Sequence, residues 1–78
     1  MRITLKLSRV GMTMEEATIV KWHKQPGQVF KAGEPLYEIE TEKVNQEITA
    51  TSDGTMVQIY AGEGEIVKVG NQICVVDM

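Results

Sequence analysis

The run IETEKVNQEI, residues 39–48, offers a single long amine among acidic side chains, and this is the stretch most suited to chemistry. From Glu34 to Glu47 the chain has five glutamates and only Lys43 as a base, so the segment carries a charge of −4 and the rest is nearly neutral. Such a charged run is ordinarily a solvated face, but it also suits recognition by a partner protein. The residues alone leave both interpretations open.

Three other features resemble chemical sites and are not expected to be ones. His23 is the one histidine, and no serine, cysteine or pair of carboxylates is placed in the sequence to work with it. Cys74 is the one cysteine, so it has no disulfide partner and no companions for a zinc site, and it is predicted to be a small, partly buried apolar residue. The stretch AGEGE, residues 61–65, precedes no helical pattern and is therefore no phosphate loop. We expect neither a catalytic residue nor a metal site.

The alternation of apolar residues locates a turn around Lys43. Before it the inward positions have odd numbers, and after it, from Val44 to Ala50, they have even numbers. Cross-strand partners share a face, so the simplest register pairs Tyr37 with Ile48, Ile39 with Gln46, and Thr41 with Val44. That register leaves Glu42 and Lys43 as a two-residue loop, with Lys43 at the tip of a hairpin. Because neither residue favours positive φ, we expect a type I turn instead of the primed types. Exposed lysines are common at hairpin tips, where they contribute to solubility, so the position of Lys43 alone assigns no function.

The chain repeats itself at an offset of 37 residues. EATIVKWHKQPGQVFKAGEPLYEIE, residues 16–40, aligns without a gap on DGTMVQIYAGEGEIVKVGNQICVVD, residues 53–77. Gly27 matches Gly64 and Gly33 matches Gly70, which predicts the same turns in both copies. Two copies are too few for a solenoid. The repeat therefore predicts a closed unit with a pseudo-twofold axis, in which each half covers the apolar face of the other.

The elements that carry these residues are predicted to be strands. No window of 11 or more residues keeps a helical period, whereas short β-branched segments alternate with glycine, proline or polar clusters. The predicted strands are 3–7, Thr18–Trp22, Val29–Phe30, Leu36–Thr41, Val44–Ala50, Thr55–Tyr60, Ile66–Val67 and Gln72–Asp77. Eight short strands in 78 residues indicate one all-β domain, residues 1–78, with the form of a small sandwich or flattened barrel.

Composition excludes several classes of partner. The net charge is −3, the basic residues are scattered and the four aromatic residues form no stripe, so nucleic acid is not expected to bind. No segment has the length of a signal peptide core or a membrane helix, so no membrane partner is expected either. A lone cysteine fits a reducing compartment. We expect a soluble protein of the cytoplasm, or of the mitochondrial matrix in a eukaryote.

Two long runs resemble the biotinyl/lipoyl domain family. They are VGMTMEEATIVKWHKQPGQVFKAGEPLYEIETEKVNQEI at Val10–Ile48 and GTMVQIYAGEGEIVKVGNQI at Gly54–Ile73. Within the family, the chain is most similar to the lipoyl domain of the dihydrolipoyl acyltransferase component of 2-oxo acid dehydrogenase complexes. The resemblance implies a flattened barrel of two four-stranded antiparallel sheets with quasi-twofold symmetry. The family modifies a lysine at a hairpin tip in a Glu-Thr-Asp-Lys-like sequence, which here is Glu40-Thr41-Glu42-Lys43.

The resemblance also implies a function. Lipoate would be linked by an amide to Lys43, after recognition of the flanking residues Glu40, Thr41, Glu42 and Val44 by a lipoate ligase or other lipoyl-modifying enzymes. The lipoyl arm would carry acyl groups and electrons between a thiamin-dependent 2-oxo acid decarboxylase, the acyltransferase core and dihydrolipoyl dehydrogenase. The domain would be a monomer, a carrier with no catalysis of its own, and part of a dihydrolipoamide acyltransferase.

Two alternatives share this fold. A biotin carboxyl carrier domain usually has methionine on both sides of its lysine, whereas Lys43 is flanked by Glu42 and Val44, so biotin is disfavoured. An unmodified lipoyl-like adaptor, as in membrane-fusion proteins, usually lacks the lysine turn and has a long helical insertion between the two halves of the motif. This chain is continuous and keeps its lysine.

Overall fold

In the computed structural model, residues 1–9, 14–42 and 44–78 are described, and they form eight β-strands. The strands are β1 Arg2–Lys6, β2 Glu16–Trp22, β3 Val29–Phe30, β4 Pro35–Glu40, β5 Asn45–Thr49, β6 Gly54–Ile59, β7 Ile66–Lys68 and β8 Gln72–Asp77. Each predicted strand is confirmed, with ends that differ by at most two residues. Within these ranges there is no helix with the length and apolar character needed to span a bilayer.

The strands form two four-stranded antiparallel sheets, as predicted. One sheet has the order β5-β4-β2-β7 and the other β1-β8-β6-β3. Each sheet takes its last strand from the other half of the chain, since Ala17 in β2 pairs with Val67 in β7 and Val29 in β3 pairs with Thr55 in β6. The two halves are therefore joined by backbone hydrogen bonds as well as by their side chains.

Equivalent turns confirm the pseudo-twofold relation between the halves. Gly27 and Gly64 have φ of 93° and 89°, a conformation that glycine adopts without strain. The N–H of Gly27 donates to the carbonyl of Met56 at 2.8 Å, and the N–H of Gly64 donates to the carbonyl of Ile19 at 2.6 Å. Because Met56 is the repeat equivalent of Ile19, each turn is held by the corresponding strand of the opposite half.

The core lies between the sheets and draws on the same positions of both halves. Ile19 and Ile39 have no exposed surface, and their equivalents Met56 and Val76 are 1% and 0% exposed. Cutting a buried residue of this kind back to alanine typically costs about 2–5 kcal/mol, which is a large fraction of a small domain's stability. The alternation read from the sequence thus corresponds to the inner faces of the two sheets.

Trp22, which is 7% exposed, connects the end of β2 to the second half of the chain. Its indole Nε1–H donates to the carbonyl of Ala61 at 2.7 Å, and its backbone N–H donates to Oε2 of Glu63 at 3.0 Å. The indole also lies 4.9 Å from the ring of Tyr37 between centroids, at 42°. A buried indole with its N–H satisfied stabilises this end of the barrel.

Gly54, at the start of β6, is expected to be the glycine least tolerant of a side chain. A Cβ there would lie 2.6 Å from the carbonyl oxygen of Asp77 and 2.9 Å from the ring of Phe30, and the first of these atoms is backbone. Overpacking of this kind typically costs about 1–3 kcal/mol. We therefore expect Gly54→Ala to lower the free energy of unfolding by about that amount, measured by denaturant titration.

Gly62→Ala is the matched control, because a Cβ at Gly62 would have nothing within 4 Å and the residue is not in the positive-φ region. Equal stability of the two variants would contradict the close packing of β6 against β8.

Candidate functional site: the β4–β5 hairpin

The register of the hairpin formed by β4 and β5 is the predicted one. Tyr37 pairs with Ile48 and Ile39 pairs with Gln46. The pairing continues to the turn, where the N–H of Thr41 donates to the carbonyl of Val44 at 2.9 Å. This hydrogen bond therefore leaves positions 42 and 43 as the two-residue loop, between Thr41 and Val44. Lys43 itself lies outside the described residues.

The base of the turn is held by Thr41. Its Oγ1 accepts a hydrogen bond from the N–H of Val44 and donates one to the carbonyl of Val44, both at 3.3 Å. Among the described residues no non-glycine residue has positive φ, and this includes Glu42. Both primed turn types require positive φ at the first loop position, so they are excluded here. The type I turn stays a prediction, since its second position is Lys43.

The residues that the resemblance assigned to recognition lie together at one end of the sheet. Glu40 pairs with Thr18 on one side and Asn45 on the other, and its side chain is exposed. Glu42 is exposed, Thr41 is half-buried and Val44 is 50% exposed. Directly before Glu40, Ile39 is completely buried. The turn thus projects from a strand that is anchored in the core.

The register confirms that Gln46 shares the face of the buried Ile39, but the burial expected of Val44 and Gln46 is wrong. Both side chains are exposed, whereas Ile48 is partly buried and Ala50 is 5% exposed. The physical reason is that β5 is an edge strand with β4 as its only neighbour in the sheet. The even-numbered side chains of this segment reach the core only at the end farther from the turn. Near the turn, the same face is exposed to solvent.

A group of ionisable side chains on the outer face of this hairpin was missed by the sequence analysis. Glu38 and Glu47 are directly paired across β4 and β5. His23, just after β2, has its Nε2 3.3 Å from Oε2 of Glu38 and 3.9 Å from Oε2 of Glu47. The predicted register already set the two glutamates opposite each other. The approach of His23 depends on the pairing of β2 with β4, which the sequence analysis did not derive.

Two ionisable residues lie in the core and are unsuited to chemistry in the folded state. Cys74 and its repeat equivalent Tyr37 are 0% and 2% exposed. Burial raises the pKa of each side chain to about 12. Cys74 is more deeply buried than the sequence suggested, and both side chains stay neutral near pH 7. Met14, in the segment before β2, is also buried, at 8% exposed.

A family model of biotin- and lipoyl-bearing domains, described as "Biotin-requiring enzyme", matches residues 3–76. A solution structure of the lipoyl domain of the 2-oxoglutarate dehydrogenase complex from Azotobacter vinelandii superimposes with a TM-score of 0.82. It is 32% identical, and the match covers 97% of this chain and 96% of that one. A multi-domain long-chain acyl-CoA carboxylase, 20% identical over 97% of this chain and 7% of its own, has a TM-score of 0.80 and supports the fold alone.

Curated relatives are much longer proteins. The succinyltransferase component of the 2-oxoglutarate dehydrogenase complex from Rickettsia conorii is 44% identical over 94% of this chain, which is 18% of its own length. The corresponding protein of Bacillus subtilis is 39% identical over 88% of this chain and 16% of its own. The acetyltransferase component of the pyruvate dehydrogenase complex from Acholeplasma laidlawii is 39% identical over 92% of this chain, which is 13% of its own length. This chain therefore spans less than a fifth of the length of these relatives.

The burial of Cys74 is expected to protect it from thiol reagents. Raising its pKa from the ordinary 9.0 to about 12 lowers the thiolate fraction at neutral pH about a thousandfold, and the core blocks access as well. We expect native protein to react with a disulfide reagent only as fast as it unfolds, and to react at once in denaturant. The measurement is the absorbance of the released thiol.

The control is the double variant Cys74→Ala/Thr51→Cys, which moves the thiol to an exposed position and should react without unfolding. Rapid labelling of native Cys74 would contradict its place in the core.

Proposed function

We propose that Lys43 carries lipoate through an amide on its side-chain nitrogen. The proposal rests on the family, since this chain belongs to the biotin/lipoyl family and is a lipoyl domain within it. The observation that carries the proposal is the hydrogen bond from Thr41 to Val44, which leaves Glu42 and Lys43 alone in the loop. The neighbours fit a covalent arm, since Glu42 is exposed and Val44 is 50% exposed. When bound, lipoate supplies a disulfide that accepts an acyl group together with electrons.

The chain's own contribution is a rigid support for the arm. Ile39 is buried in the core, and the hydrogen bonds of Thr41 hold the base of the turn. The lysine side chain and the lipoyl chain together have about a dozen bonds, which corresponds to a reach on the order of 15 Å. A fixed tip with a long flexible arm keeps the barrel out of the partners' active sites while the arm enters them.

The acidic side chains around the turn are proposed as the recognition surface. Glu40 and Glu42 are exposed beside the lysine, and Glu38 and Glu47 follow along the hairpin. Amide formation removes the charge of Lys43, so the segment 34–47 changes from −4 to −5. A basic patch on a partner enzyme would therefore bind the modified hairpin more strongly than the unmodified one.

The partners that fit this role are a lipoate ligase or other lipoyl-modifying enzymes, a thiamin-dependent 2-oxo acid decarboxylase, the acyltransferase core and dihydrolipoyl dehydrogenase. The curated relatives support this set, because they are acyltransferase components of 2-oxo acid dehydrogenase complexes. The domain would act in the cytoplasm, or in the mitochondrial matrix of a eukaryote, as one part of such an acyltransferase.

The attachment of lipoate to Lys43 is tested by measuring the mass of the intact protein. Incubation with lipoate, ATP and a lipoate ligase is expected to add one lipoyl group to the unmodified chain and none to Lys43→Arg, because arginine keeps the charge but offers no acylable amine. Intact-protein mass spectrometry reads the adduct. Lys31→Arg is the matched control, since Lys31 is an exposed lysine in a turn outside this hairpin, where its carbonyl accepts from the N–H of Glu34 at 3.0 Å.

An adduct that persists in Lys43→Arg would move the site to another lysine. A parallel incubation with biotin, ATP and a biotin ligase tests the biotin carrier alternative, which a biotin adduct on Lys43 in place of lipoate would establish. Acceptance of neither group would favour the unmodified adaptor.

Glu40 is expected to contribute to recognition and little to stability. Its carboxylate is exposed, so Glu40→Gln should leave the free energy of unfolding within about 0.5 kcal/mol. Loss of one charged contact with the modifying enzyme should lower kcat/KM for lipoylation about tenfold, which corresponds to about 1.4 kcal/mol. Initial rates of adduct formation measure it.

The control is Glu16→Gln, another exposed strand glutamate, which lies at the start of β2 and outside the hairpin. Equal rates for both variants would show that the acidic residues around the turn serve solvation alone.

A further inference from the structure

Three side chains with metal-ligating atoms meet on the outer face of the β5-β4-β2-β7 sheet. They are His23 after β2, Glu38 in β4 and Glu47 in β5, and one ligand atom from each lies within 4.8 Å of the others. The nearest separations are 3.3 Å from His23 Nε2 to Glu38 Oε2 and 3.9 Å from His23 Nε2 to Glu47 Oε2. Zinc bonds of about 2.0–2.2 Å at a tetrahedral angle separate two ligand atoms by about 3.4 Å, so small side-chain rotations bring this group to zinc geometry.

The imidazole nitrogen of His23 is an unsatisfied ligand atom. Nε2 has less than 1 Å² of accessible surface, and among the described residues no partner meets it with hydrogen-bond geometry, although two carboxylate oxygens lie close to it. A buried nitrogen without a hydrogen bond normally destabilises the folded state. A metal ion bound by the three side chains would satisfy this nitrogen, because the nitrogen would donate its lone pair to the metal.

The electrostatics of the pair Glu38 and Glu47 also call for a cation. The two carboxylates are direct cross-strand partners, and like charges in that arrangement destabilise a sheet. Over the described ranges no lysine or arginine forms an ion pair with either carboxylate, and His23 is the one basic side chain in contact with them. A divalent ion would offset the negative charge of both glutamates.

We propose that His23, Glu38 and Glu47 form a binding site for a divalent transition-metal ion of the Zn²⁺ type. One imidazole and two carboxylates are ligands that suit such an ion, and a water completes four-coordination. The glutamate side chains are 34% and 50% exposed, so the ion enters from solvent as they rotate. By joining β5 to β4 and to the end of β2, the ion would brace the edge strand that supports the turn.

Zinc titration of the isolated chain tests the site. Isothermal calorimetry with zinc chloride should show one equivalent bound to the unmodified chain, and ¹H–¹³C spectra should show its imidazole signals shift with the same stoichiometry. Loss of one ligand should weaken binding by more than about tenfold in each of His23→Asn, Glu38→Gln and Glu47→Gln. Glu16→Gln is the control for an exposed glutamate elsewhere in the same sheet and should bind like the parent.

Circular dichroism without metal establishes that each variant is folded, and the two glutamine variants test the site even if His23→Asn folds poorly. Equal binding by all variants, or binding without a shift of the imidazole signals, would identify a non-specific surface ion and overturn the proposal. No binding by the parent chain would also overturn it, and would leave the three residues as an ion pair between a histidine and two glutamates. None of these outcomes depends on Lys43 or its modification.

Discussion

The fold depends on each half of the chain completing the sheet of the other. β2 pairs with β7 and β3 with β6, so neither repeat has a finished sheet by itself. The turn glycines add a second exchange, with Gly27 bound to Met56 and Gly64 to Ile19. A small domain buries proportionally little apolar surface, so this chain, without a disulfide, needs both exchanges to place its inner faces against each other. The β4–β5 hairpin depends on this exchange as well, because β4 lies between β5 and β2 in one of these shared sheets.

The repeat and the alternation of apolar residues predicted most of this architecture. Glycines at matching positions predicted the turns, and the parity of Tyr37 and Ile39 fixed the hairpin register, because both are local properties of the chain. The exposure of Val44 and Gln46 was not predicted. The alternation predicts the face of the sheet on which a side chain lies. Whether that face is buried depends on how far the opposite sheet extends over it.

The candidate functional site also has one part that the sequence predicted and one part that it did not. The turn residues are consecutive in sequence, so a motif and a register were sufficient to find them. The group of His23, Glu38 and Glu47 spans 25 residues of sequence and joins β4 and β5 to the residue after β2, so no local pattern contains it. The one available signal was the predicted pairing of Glu38 with Glu47, two like charges opposite each other. No metal site was expected from the sequence, although two like charges in that arrangement favour a nearby cation.

The pseudo-twofold symmetry also explains why the lysine turn is free to carry a function. The equivalents of β4 and β5 are β8 and β1, which are paired in the same way but are not joined by a turn. Since β1 and β8 pair without a connecting turn, the loop between Thr41 and Val44 is not needed to pair the equivalent strands β4 and β5. Its residues are therefore open to selection for the proposed acceptor amine and its recognition, which is consistent with a turn that lacks glycine.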